Sequence, residues 1–163
     1  MTDAAMLVDH LGGARRHVLG ILEGLSDADW RRSLVPSGWS PIQVVSHLAL
    51  DDERFWFGAV LAGEEEIIDE LIHDPWDAWQ VRPEVTPAEV VARYRAEAGR
   101  SDARILAADL EEPVAFWPDF MGPCWMESKG EVVLHVITET SAHAGQLDIV
   151  RELVDGRQWT VVT

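Results

Sequence analysis

From Ser128 to Gly156 the chain reads SKGEVVLHVITETSAHAGQLDIVRELVDG. Val136, Thr140, His143, Leu147, Val150 and Val154 recur at intervals of three and four, which puts them on one face of a helix. Ser128 supplies a capping hydroxyl with Glu131 three residues on, although Gly130 weakens the first turn. Gly156 after Asp155 is a stop, because glycine takes the left-handed conformation at C′ without a steric cost. Outward from this segment the same pattern returns three times. Ser40-Pro41-Ile42-Gln43 and Thr86-Pro87-Ala88-Glu89 each place a hydroxyl at N-cap, proline at N1 and an amide or carboxylate at N3. Apolar spacing marks a first helix by Leu7, Leu11, Ala14, Val18, Leu22 and Leu25 and a second by Val44, Leu48, Phe55 and Ala59. Val91, Tyr94, Ala98 and Ile105, with the leucines between 106 and 110, mark a third. Alternation of period two is never sustained; residues 158–163 read as a short extended tail.

Four helices of about 20 residues each predict an all-α fold, a four-helix bundle formed by one domain over 1–163. No repeat, low-complexity tract or flexible linker divides the chain. The connection over 63–85 is the longest, which favours a crossover with the second and third helices parallel. It is also acidic, with Glu64, Glu65, Glu66, Asp69, Glu70, Asp74 and Asp77, and reads as a solvated face. Its Trp76 and Trp79 need burial, against the bundle or a second subunit.

Composition limits the function classes. The 163 residues are 47% apolar and 26% charged, the balance of a globular protein. The longest apolar run, Phe55 to Gly63, is too short to span a bilayer, and no secretory leader is expected. The single cysteine, Cys124, suits a reducing cytoplasm and, between Pro123 and Trp125, reads as part of a packed loop. With 29 acidic against 13 basic side chains, the net charge of −16 repels a phosphate backbone, so neither nucleic acid nor membrane is expected as a partner.

Phosphate-binding loops, nucleophile elbows and C-x-x-C pairs are all missing from the sequence. The last helix carries the chemistry. His135, Glu139 and His143 stand four apart on one face, each about 6 Å above the last. The two histidines are then about 12 Å apart, too far to share one ion. The candidate pair is therefore Glu139 with His143 or His135 with Glu139. A third ligand from another helix is needed, and His47, beside the inward Val44 and Leu48, is the candidate. Asp51, one turn on, is placed to support it or to add a fourth donor.

Trp39-Ser-Pro-Ile-Gln-Val-Val-Ser-His47-Leu, together with His143-Ala-Gly-Gln146, resembles the DinB/YfiT-like metalloprotein superfamily. The longer pattern His135-Val-Ile-x-Glu139-Thr-x-x-His143-Ala-Gly-x-x-Asp148-Ile-x-Arg151-Glu152-x-x-Asp155-Gly156 resembles its actinobacterial mini-circle protein branch. The resemblance implies an up-down-down-up four-helix bundle, often a homodimer, that binds a divalent metal. Carried over by position, the ligands are His47, Glu139 and His143. Glu139 departs from the usual histidine, but mycothiol-dependent maleylpyruvate isomerase relatives also have glutamate there. His135 and Gln146 then become supporting or pocket residues. A three-ligand site with open positions is the pattern of catalytic zinc, and the same donors suit Fe or Ni. The resemblance implies a cytoplasmic S-transferase that activates a low-molecular-weight thiol such as mycothiol toward an electrophile. Trp39, Phe116, Trp117 and Trp125 are expected to line the apolar part of the pocket. The alternatives are a hydrolase using metal-bound water and a non-catalytic metal- or ligand-binding stress protein.

Overall fold

The structure, a computed structural model, describes residues 3–159, and every regular element among them is a helix. These are α1 (Ala4–Leu22), a single turn α2 (Asp27–Trp30), α3 (Pro41–His47), α4 (Glu65–His73), α5 (Pro87–Ala107) and α6 (Lys129–Asp155). Helix α3 runs on without a break as a π-helix over Leu48–Leu61, and a 3₁₀ turn covers Asp119–Met121. The all-α expectation holds. Residues 160–163 of the expected tail lie outside the described residues.

The starts and stops follow the local chemistry of the sequence. At α5, Thr86 Oγ1 accepts from the Glu89 N–H and the Glu89 carboxylate accepts from the Thr86 N–H at 2.7 Å. At α3, Gln43 Oε1 accepts from the Ser40 N–H at 3.0 Å. Ser128 Oγ accepts from the Glu131 N–H to open α6, and Gly156 closes it at φ 79°. Each contact satisfies a backbone group that the helix itself leaves unpaired.

Four long helical segments pack in a closed ring: α1 against α6, α6 against the π-helix, the π-helix against α5, and α5 against α1. Leu7, Leu11, Phe57, Val60, Ile105, Val132 and Val136 lie in one apolar cluster. Val18, Ile21, Val44, Val45, Leu48, Tyr94, Ala144 and Leu147 lie in a second. The run Phe55–Leu61 is buried all round, as expected for the most central segment.

Local expectations at Ala14 and Cys124 are revised, and the acidic connection gains an element. The inward face of α1 passes through Arg15, which is buried, rather than through Ala14. Arg15 forms a bidentate pair with Glu53 at 2.6 and 2.7 Å and reaches Asp102 at 2.6 Å, joining α1, the π-helix and α5. The 63–85 connection is not wholly irregular: it contains α4, which buries Ile67, while Glu64 pairs with Arg104 and Glu70 with Arg54. Cys124 is exposed, not packed, with its thiol donating to the Met126 carbonyl.

Candidate functional site

His47 ends α3 at the junction with the π-helix, and winding decides what surrounds it. In an α-helix the residue five positions on points about 140° away. A π-helix bonds i to i+5, so residues four and five positions on both return beneath the starting residue. Asp51 and Asp52 accordingly flank one imidazole. His47 Nδ1 donates to Asp51 Oδ2 at 2.8 Å, and His47 Nε2 faces Asp52 Oδ1 at 4.0 Å. The second oxygen of Asp51 accepts from Trp76 Nε1 at 2.9 Å. Trp79 stacks on the His47 ring, with centroids 4.6 Å apart, and its carbonyl is held by Gln43 Nε2 at 2.8 Å. The two tryptophans of the acidic connection thus find their burial here.

Helix α6 brings the second imidazole. The His143 ring meets His47 edge-on, centroids 5.0 Å apart. His143 Nδ1 donates to Gln146 Oε1 at 2.9 Å, one turn along the same helix. Both rings therefore have Nδ1 engaged as a donor and Nε2 left with its lone pair, the tautomer a metal requires. Burial, followed by the neighbouring His47, holds His143 below the ordinary imidazole range and favours its neutral form. Glu139, one turn before His143, is close enough to pull electrostatically on both His143 and His135. Of the two histidines that flank Glu139 in the sequence, His143 is the one that meets His47.

His135 lies in a different setting. Its ring packs edge-on against Trp56 at 4.6 Å and Trp125 at 5.4 Å, and burial lowers its pKa. Trp117 contacts Trp56 and Trp125 and anchors its indole N–H on the Gly122 carbonyl at 2.9 Å. Phe116 packs on the same side and lines a cavity of about 440 Å³ with Leu71, Ile72, Trp117 and Phe120. Trp39, by contrast, packs on the other apolar cluster with Trp79. Of the expected pocket lining, Trp117 and Trp125 meet directly and Phe116 packs nearby, while Trp39 sits on the His47 side. Trp56, Trp76, Trp79 and Asp52 join the site without having been singled out in it from the sequence.

The donor set is suited to a divalent cation. Two imidazoles sharing one ion at about 2.0–2.1 Å hold their ring centres roughly 5 Å apart, which is the observed spacing. Three carboxylates, Asp51, Asp52 and Glu139, accompany them. Asp52 is buried, and its Oδ2 has no hydrogen-bond partner among the described residues. Burial raises the Asp52 pKa well above the usual carboxylate range, and Glu53, Glu139 and Asp51 raise it further. These influences favour the neutral, protonated form of Asp52, and a bound cation would take the place of that proton. As the side chains stand, no three His, Cys, Asp or Glu among the described residues form a ready-made metal cage; the histidine pair is what is already in place. Among the described residues no helix is long and apolar enough to cross a membrane.

Over residues 6–156 the chain matches the family model described as Mycothiol-S-transferase. No curated protein and no solved structure matches it.

Proposed function

Because the chain belongs to the mycothiol-S-transferase family, we propose that it conjugates a low-molecular-weight thiol of the mycothiol type, through its sulfur and with loss of the thiol proton and the leaving group, to a small electrophile at a site built on His47, Glu139 and His143. The observation that carries this reading is the edge-on meeting of His47 and His143, delivered by two separate segments with each Nδ1 already engaged. A divalent cation, Zn in the first instance with Ni or Fe as alternatives, would be held by these residues and supply the Lewis acidity that keeps a thiol ionised near neutral pH.

The residues of the chain supply the rest. Asp51 fixes the His47 ring and is itself fixed by Trp76, so the imidazole keeps one orientation. Gln146 does the same for His143. Trp79 covers one face of His47 and limits the approach of water to it. On the other side of Glu139, the Trp56, Trp117 and Trp125 rings offer an apolar wall for the electrophile, with Trp125 itself exposed. The same reading takes 1–163 as one cytoplasmic four-helix-bundle domain with up-down-down-up connections, acting as a homodimer without a nucleic-acid partner. The closed ring of four long segments and the net charge of −16 support it.

A conjugation assay with mycothiol, or a simpler thiol, and a generic electrophile such as a chloronitrobenzene tests the activity. The expected product is the thioether, formed in proportion to protein and absent when the thiol is omitted. Turnover of an ester or amide without added thiol would instead favour the hydrolase. Binding of metal with neither activity would favour the non-catalytic protein.

A further inference from the structure

Asp52 is only 2% exposed, and its Oδ2 accepts no hydrogen bond among the described residues. Its other oxygen faces His47 Nε2 at 4.0 Å, the nitrogen left over after Asp51 has taken Nδ1. We propose that Asp52 is a fourth side-chain donor to the cation held by His47, Glu139 and His143; this rests on the metal-site reading above.

Three observations converge on it. The first is positional. The π-helical winding that starts at Leu48 brings the fifth residue after His47 back beneath the ring, so the chain adopts an uncommon helix where a second carboxylate is needed beside the imidazole. The second is metric. Two donors on one tetrahedral ion, each at about 2.1 Å, lie about 3.4 Å apart. The observed 4.0 Å is within a small side-chain rotation of that spacing and too long for a hydrogen bond between the two groups. The third is the environment. Asp51, Glu53 and Glu139 surround Asp52 with further carboxylates. Arg15 is committed to Glu53 and Asp102, leaving Asp52 outside that ion-pair network. A buried carboxyl with an idle oxygen is retained at a cost unless it keeps a proton or a cation replaces that proton. With two imidazoles and two carboxylates as donors, a thiol would enter as a fifth ligand, an expansion from tetrahedral geometry that zinc allows.

The full-length protein, stripped with a chelator, is titrated with Zn²⁺ against a chelating dye, comparing wild type with Asp52→Asn and His143→Ala. In parallel, crystals of wild-type protein soaked in Zn²⁺ locate the ion by anomalous scattering. The expected result is about one Zn²⁺ per wild-type chain, no tight binding by His143→Ala, and affinity lowered about a hundredfold or more in Asp52→Asn. The expected crystal distance from Zn²⁺ to an Asp52 oxygen is about 2.0–2.2 Å. An ion bound by His47 and His143 with Asp52 beyond about 3 Å, or an Asp52→Asn affinity within threefold of wild type, overturns the fourth donor and leaves the metal site standing. A wild-type protein that binds no Zn²⁺, Ni²⁺ or Fe²⁺ overturns both. Should Asp52→Asn fail to fold, the crystal distance alone decides.

Discussion

At the scale of single residues, the site depends on which nitrogen of each imidazole is free. His143 Nδ1 is held by Gln146 and His47 Nδ1 by Asp51, so removing either partner releases a ring without removing a ligand. Gln146→Leu is expected to lower metal affinity by about 10–100-fold while His143 remains in place, measured by dye-competition titration. The same histidine gives a pH dependence. Its folded-state pKa lies below the ordinary value, chiefly through burial and then through His47, so the unfolded chain takes up a proton that the folded chain resists. The contribution of His143 to the stability of the metal-free protein therefore rises with pH, and is lost as pH falls from about 6.5 toward the depressed folded value. In thermal melts across pH 5–8, the stability of wild type relative to His143→Gln should increase from pH 5 to pH 8; a difference that does not change with pH would contradict this.

At the scale of elements, the π-helix and its neighbours hold the site together. Arg15 joins α1 to Glu53 on the π-helix, one residue beyond Asp52, and to Asp102 on α5. Glu53 is fully buried, and burial pushes its carboxyl up against the pull of Arg15. Arg15→Met leaves that carboxylate without its partner and is expected to cost about 3–5 kcal/mol. A thermal melt should fall by roughly 10 °C for a chain of this size. A change of under about 2 °C would mean that the pair contributes little. The elements themselves were largely legible. Ser40, Thr86, Ser128 and Gly156 mark helix ends through contacts confined to one turn, and such contacts depend on local sequence alone. The meeting of His47 with His143 was legible because His143 lies beside the apolar stripe of α6 and His47 sits beside inward apolar residues. Asp52 was not, since a wheel of 100° per residue points it away from His47 and only π winding brings it back. Trp56 was hidden for another reason: within the unbroken apolar run after Arg54 it has the appearance of core. Trp79 and Trp76 reach the site through a connection whose acidity says solvent, and pairing with His47 and Asp51 is a tertiary contact that no local pattern encodes.

At the scale of the whole molecule, a chain of net charge −16 folds into helices that gather carboxyl groups around two imidazoles, and in the proposed site a divalent ion would offset them. Metal at about a hundred times its dissociation constant then stabilises the fold by about 2.7 kcal/mol. The melting temperature should rise by roughly 5–10 °C on adding metal to wild type. The rise should vanish in His143→Ala.

The most direct measurement is native mass spectrometry of the wild-type, His47→Ala and His143→Ala proteins after equilibration with Zn²⁺. Two imidazoles from separate segments sharing one cation predict a wild-type mass carrying one ion per chain, and no bound ion in either variant. Retention of a full equivalent of Zn²⁺ by both variants would contradict a shared site.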